Sequence, residues 1–467
     1  MSPAPVPADY LAHIKPLKAA AAATENETVQ LQAIAAQHLT KGTGRLREHV
    51  FVEGKGINVW TSDGRHLLDF SSGIGVTSLG HAHPDVTAAI AQQASKIVHV
   101  QCAIANQQPQ LQLVKQLLPM MPDPSLDTFF FWNSGGEANE AAIKVARCYT
   151  KRQNLIVMQG SYHGRSMGAA SLTRSKTIYF EGTGPLLTSV FTTPFPYWHG
   201  MGFPKDTPSD VLVSHAVKHL ENLLQQQTAP KDTAAIFIEP VLGEGGYVQA
   251  PPAYMQALRR ICDQHGILLI ADEVQTGFYR TGKTFAIEHT GVRPDIMVFA
   301  KGVANGMPLS GIVTRKEVMD VMPPMSLGGT YAGNAVACAA GVATTRYMQT
   351  HDIAGNVSAR TEQAQAGLDA IAAAPGGSII EDIRVTGLMM AIEFKDPRDA
   401  GNEAFPAGLN KMVQDACLEK GLLTLTMSIY PTLRMIPALI VSEEEIDQML
   451  AIFGQCVRDV AAKVGAK

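Results

Sequence analysis

Several things are scarce or missing in this chain, and each absence removes a class of function. Its 467 residues hold only six cysteines, Cys102, Cys148, Cys262, Cys338, Cys417 and Cys456. They are scattered with no CxxC pair, which argues against a disulfide framework or a zinc site and makes a reducing compartment the natural home. No apolar run reaches the ~18 residues that a membrane-spanning helix requires. The net charge is −4, so there is no basic footprint for nucleic acid or anionic lipid. The N-terminal segment carries Asp9, Glu25 and Glu27, has no Arg before them and lacks an apolar core with a cleavage site. That is a poor targeting peptide, and the expected location is cytoplasmic.

What is present describes a globular, enzyme-like chain: 46% hydrophobic and 17% charged residues, with length for two or three subdomains around a large core. The stretch that organises it is ILLIADEVQTGFYRTGKTFAIEHTGVRPDIMVFAKGV, from Ile267 to Val303. Two short apolar runs, 267–271 and 295–300, read as buried strands of a parallel sheet, and each delivers a charged residue at its C-terminal end. These are Asp272 and Lys301. An Asp after a strand is often a cap and a Lys there often solvated, so neither is decisive alone. As a pair they are costly to bury without partners, and open α/β sheets place ligands beyond the carboxyl ends of their strands. Pyridoxal 5'-phosphate (PLP) would satisfy both, because its ring nitrogen wants an acid and its aldehyde wants a lysine.

Other segments add to this. The run 128–132 reads as a strand that breaks at Asn133-Ser134-Gly135-Gly136-Glu137 into a helix with Ala141, Ala142, Val145, Ala146 and Tyr149 on one face. A strand, a Ser-Gly-Gly turn and a helix N-terminus make an anion site that a phosphate fits. A strand over 154–159 leads to Tyr162, His163, Gly164 and Arg165, where an aromatic side chain and a His can stack on a heteroaromatic ring. A strand over 233–238 ends at Glu239 and Pro240, followed by Gly243-Glu244-Gly245-Gly246. The helix over 252–265 then links it to the organising stretch, so strand–helix–strand recurs and the sheet is doubly wound.

At the start, residues 1–45 read as an Ala/Pro-rich, then weakly helical arm, and 50–70 as a hairpin about the Asp63-Gly64 turn signal. The loop SSGIGVTSLGHAHPDV carries His81 and His83 and could face a pocket. Beyond about 345 come a helix (360–374), a strand (386–394), a helix (410–420), a strand (432–436) bearing Arg434, and a last helix with a Ser442/Glu445 capping box. The expected division is 1–70 for the arm and a small-domain segment, 71–345 for the large cofactor-binding domain and 346–467 for a C-terminal small domain.

In order and in type, FWNSGGEANEAAIK, ADEVQTGFYRTG and FAKGVANGMPLSG resemble the diagnostic segments of the class III (subgroup II) aminotransferases. The resemblance is greatest to the 4-aminobutyrate and acetylornithine branch and covers about residues 45–455. It implies an α/β, fold-type I PLP-dependent transferase, with a large doubly wound, mostly parallel-sheet domain and a smaller α+β domain. On matching positions it implies that Lys301 forms the Schiff base, Asp272 holds the ring nitrogen, and Ser134, Gly135 and Gly136 bind the phosphate with Thr330 of a neighbouring subunit in a homodimer. Tyr162, with His163 beside it, would stack on the ring, Gln275 would reach the 3-oxygen and Glu239 would lie close by. Arg165 would bind the substrate carboxylate, and Glu244 would pair with Arg434 until an α-carboxylate displaces it.

The expected reaction moves the amino group of an ω-amino acid, 4-aminobutyrate first, to 2-oxoglutarate. Acetylornithine, ornithine or a broader range of ω-amines form the alternative, with an aminomutase or decarboxylase behind them. Ile74 stands where ornithine aminotransferases are expected to carry Tyr. Tyr279 stands where many relatives have Gly, a departure that either narrows the pocket or only changes a loop, and Trp132, Trp198 and the aromatic insertion at 193–207 either line the entrance or simply pack.

Overall fold

The computed structural model describes residues 25–45 and 48–466. The Ala/Pro-rich first part of the expected arm lies outside them, and its helical part is Glu25–His38. At the centre is a seven-stranded sheet in the order Thr128–Trp132, Ser310–Thr314, Ile296–Phe299, Leu268–Asp272, Thr233–Ile238, Asn154–Met158, Val190–Thr193. Ser310–Thr314 runs antiparallel to both neighbours, and the other adjacent strands pair in parallel.

The apolar runs form strands because both faces of this sheet are covered. Alternate residues enter two separate cores, as the two-residue period of a strand requires. Ile270, Ile296, Val298 and Phe237 pack with Ala138, Ala142 and Val145 of the helix Gly135–Thr150. Leu269, Ala271, Met297 and Phe299 face the other way, into the core shared with Met255 and Leu258 of the helix Pro252–His265. Burial on both sides explains why neither strand shows polar alternation.

Two smaller sheets flank this one. The expected hairpin at 50–70 is a three-stranded meander, Phe51–Lys55, Asn58–Thr61 and His66–Asp69, because Gly56 at φ 59 makes a further turn. Leu422–Leu423 joins it in parallel, so segments from opposite ends of the chain share one sheet. The second comprises Ile380–Thr386, Met389–Phe394, Thr432–Met435 and Leu425–Met427. Here the strand expected over 386–394 is the second arm of a hairpin turning at Gly387, whose φ is 58. The helix expected at 360–374 starts earlier, as Ile353–Ala373, where Asp352 caps Gly355 N–H. The Ser442/Glu445 capping box is present at the head of Glu443–Lys463. Among the described residues, no helix is long and apolar enough to cross a membrane.

Candidate active site

Asp272 ends its strand in register with Val298, and Lys301 lies two residues past the end of the adjacent strand. Parallel register therefore brings the acid and the amine to the same edge of the sheet. Lys301 sits at φ 43, a left-handed conformation that a side-chain-bearing residue adopts at a cost. Burial pushes its amine down to about 8, and the Arg434 charge adds to this, against the pull of Glu244, Asp272 and Glu239.

Asp272 is sealed from solvent and takes three donors. Its Oδ2 accepts from His163 Nδ1 at 2.7 Å and Asn139 Nδ2 at 2.9 Å, and its Oδ1 from the Val274 N–H at 3.0 Å. Glu239, equally buried, accepts from the Tyr162 N–H at 2.8 Å and the Gly243 N–H at 2.9 Å. Burial and then the balance of His163 against Asp272 leave its carboxyl raised, to about 7.

Ser134 caps the helix Gly135–Thr150. Glu137 N–H donates to the Ser134 hydroxyl, and Ser134 N–H donates to the Glu137 carboxylate at 2.9 Å. The cap engages Ser134 and leaves the Gly135 and Gly136 N–H groups, at the positive end of the helix, as the donors available to an anion. A side chain is excluded next to them: a Cβ on Gly164 would lie 2.7 Å from Gly136 Cα.

These groups meet at one cavity of 570 Å³. Of the residues singled out in the sequence, Ile74, Ser134, Gly135, Gly136, Tyr162, His163, Arg165, Glu239, Glu244, Asp272, Gln275 and Lys301 line it. Arg434 and Thr330 do not. Arg434 is buried behind Glu244, with Nη1 2.7 Å from Glu244 Oε1. Thr330 is exposed, in the same stretch as Met325 and Tyr331. Burial alone would raise Glu244, but Arg434 and Lys176 hold it below the usual carboxylate range.

Other residues remarked on in the sequence, with more than one reading open, lie elsewhere. His81 donates to Asp69 Oδ2 at 2.8 Å and braces the Ser71–Gly75 bend from behind, while His83 packs edge-on to Tyr347. In the 193–207 insertion, Tyr197 and His199 both reach Glu393, each at 2.5 Å. The insertion therefore docks on the C-terminal hairpin, and neither Trp198 nor Trp132 lines the cavity. Tyr279 also stays off the cavity wall, and its φ of 66 explains why glycine suits that position.

Three contributors were missed. Asn139 is a polar residue on an otherwise apolar helix face, a signal the sequence did carry. Lys176 Nζ lies 3.8 Å from Glu244 Oε2, and the Tyr179 hydroxyl donates to that oxygen at 3.1 Å. Both come from an aperiodic loop that gives no such signal.

The class-III aminotransferase family model matches residues 42–457. The chain belongs to the class III aminotransferases. It is thus a PLP-dependent aminotransferase of fold type I. This aminotransferase is 37% identical over 440 residues to the 5-aminovalerate aminotransferase of Pseudomonas putida, covering 93% of this chain and 99% of that one. It is 36% identical over 433 residues to the 4-aminobutyrate aminotransferase of Escherichia coli, covering 92% and 98%. The solved taurine:2-oxoglutarate aminotransferase of Bifidobacterium kashiwanohense, in complex with PLP and glutamate, matches with a TM-score of 0.86 at 27% identity, over 94% of this chain and 99% of that chain.

The residues of this aminotransferase fit PLP. The bare Gly135 and Gly136 N–H groups suit a phosphate, and Asp272 faces the same cavity from the carboxyl end of its own strand. Gln275 contributes a buried amide oxygen that has no hydrogen-bond partner among the described residues.

Proposed function

We propose that this aminotransferase transfers the amino group of an ω-amino acid, 4-aminobutyrate foremost, to 2-oxoglutarate in two alternating half-reactions. The observation that carries the reading is the 2.7 Å Glu244–Arg434 pair beside Lys301, with a second guanidinium, Arg165, on the wall of the same cavity. An ω-amino acid has no carboxylate at its reacting carbon, whereas glutamate does. A lone buried Arg facing the first substrate would be an uncompensated charge. Paired with Glu244 it is neutralised, and it becomes available to an α-carboxylate when Glu244 turns away. Arg165, with Lys176 near it, suits the distal carboxylate that both substrates share.

When bound, PLP supplies an electron sink that stabilises negative charge at the reacting carbon. Gly135 and Gly136 would hold its phosphate, with Thr330 of a second copy, and Ser134 would position the turn. Asp272 would hold the ring nitrogen, braced by His163 and Asn139. Tyr162 would cover the ring face, and Gln275 would reach its 3-oxygen. Lys301 would anchor the aldehyde carbon and, once displaced by substrate, move the proton at the reacting carbon. Its lowered pKa means that a sizeable neutral fraction is present near pH 8. Glu239 would steady the Tyr162 backbone from beneath.

A homodimer is part of the proposal. It is supported by the exposed apolar side chains Ile104, Met325 and Tyr331, the last two flanking Thr330. Six cysteines with no disulfide support a cytoplasmic home. A second donor, 5-aminovalerate, is favoured by the Pseudomonas putida relative. The test is a donor screen against 2-oxoglutarate with 4-aminobutyrate, 5-aminovalerate, β-alanine, N-acetylornithine, ornithine and simple amines. Faster turnover of simple amines than of every carboxylated donor would reject the role given to Arg165.

A further inference from the structure

The Glu244 carboxylate is held at both oxygens. Oε1 faces Arg434 at 2.7 Å, and Oε2 accepts the Tyr179 hydroxyl at 3.1 Å with Lys176 Nζ at 3.8 Å. The phenol is itself fixed. Its ring lies against the Arg165 guanidinium, 4.8 Å from Cζ to centroid, and meets Tyr162 edge-on at 5.1 Å. Arg165 Nε in turn donates to the Tyr162 hydroxyl at 3.0 Å. Tyr179 closes a three-residue helical turn, Thr177–Tyr179, and cannot follow a moving Glu244 without leaving Arg165.

We propose that Tyr179 is a specificity-determining latch: its hydroxyl holds Glu244 on Arg434, so that each α-carboxylate must break this bond before it can reach the guanidinium. The inference rests on the reading of Glu244 and Arg434 as the α-carboxylate site. Burial and the Glu244 charge keep the phenol well above its usual range, so it remains a donor throughout the working pH range. The latch favours donors whose reacting carbon bears no carboxylate and works against glutamate and 2-oxoglutarate. It also links the two ends of the substrate, because the same ring that restrains Glu244 covers Arg165. Packing on Arg165 alone would make the hydroxyl dispensable, and Tyr179→Phe separates these roles by removing the oxygen and keeping the ring.

The experiment compares half-reactions of the wild-type and Tyr179→Phe holoenzymes, started with glutamate or with 4-aminobutyrate. Loss of one hydrogen bond to a charged group should raise kcat/KM for glutamate about tenfold, through KM, with 4-aminobutyrate changed by less than about twofold. The PLP form has no amino group to transfer to 2-oxoglutarate, so calorimetric titration reads affinity alone, and its Kd should fall by about the same factor. Glutamate kinetics and 2-oxoglutarate affinity that stay level or worsen in Tyr179→Phe overturn the latch. Glu244→Ala distinguishes the two levels of the argument. If it shifts preference toward glutamate while Tyr179→Phe does not, only the latch falls. If it leaves the preference unchanged, the α-carboxylate reading falls and the latch with it.

Discussion

Asp272 and His163 are joined by a 2.7 Å hydrogen bond from Nδ1 to Oδ2, with both side chains sealed from solvent. Asn139 holds the same oxygen, so the acid at the strand tip is aimed by two side chains from different loops and helices. Removing its charge should be far more damaging than removing one brace. Asp272→Asn is expected to slow the amino-donor half-reaction by roughly a hundredfold or more. His163→Gln should cost about tenfold, the loss of one partner of a buried group. Stopped-flow absorbance of the cofactor reads both, and equal effects would show that His163 does more than orient Asp272.

Arg165 is exposed enough to meet substrate, yet its guanidinium is flanked by Tyr162 and Tyr179. Arg165→Ala should raise KM for carboxylated donors by roughly tenfold to a hundredfold, the value of a charged hydrogen-bonded contact, and leave simple amines unaffected. A uniform loss across all donors would mean that Arg165 supports the loop rather than the substrate.

The parts of this site that were legible in the sequence are those whose physics is local. Asp272 and Lys301 stand out because strands buried on both faces read as uninterrupted apolar runs that end abruptly in charge. The Ser134–Glu137 cap is legible for a similar reason, its residues being three apart on one chain segment. The Glu244–Arg434 pair joins distant segments, and only resemblance to a family suggested it. For the 193–207 insertion the sequence left lining the entrance and packing equally open, because aromatic residues in an aperiodic loop do not indicate which surface they meet, here Glu393 of the C-terminal hairpin. Tyr179 lies beyond sequence reasoning altogether, since its role depends on where its hydroxyl meets Glu244.

The turn carrying Glu244 is packed without spare room. A Cβ on Gly245 would sit 2.6 Å from the Gly160 carbonyl oxygen and 3.0 Å from Leu242 Cδ1, and a backbone atom cannot rotate away. Gly245→Ala should therefore displace the turn at a cost of about 1–3 kcal/mol, the usual range for overpacking. Denaturant unfolding should register that loss, and the 2-oxoglutarate KM should change with it because Glu244 is adjacent. Unaltered stability would mean that the loop after Met158 yields easily.

Lys301 links chemistry to stability through a pKa that differs between folded and unfolded chains. In the cofactor-free protein its amine titrates near 8, against 10.5 for an unperturbed lysine, burial being the main cause. Between those values the unfolded chain binds more protons than the folded one, so this group makes stability rise with pH across the window of about 8 to 10.5. Below 8 the penalty is complete, and at pH 7 it amounts to at most roughly 3 kcal/mol. Lys301→Met removes the charge and keeps an apolar side chain of comparable length. Stripped of cofactor, the variant should resist urea better than the wild type at pH 7, and the advantage should shrink steadily as pH rises from 8 to 10.5. If the two curves run parallel over that range, the amine is not depressed, and the general-base role assigned to Lys301 loses its energetic basis.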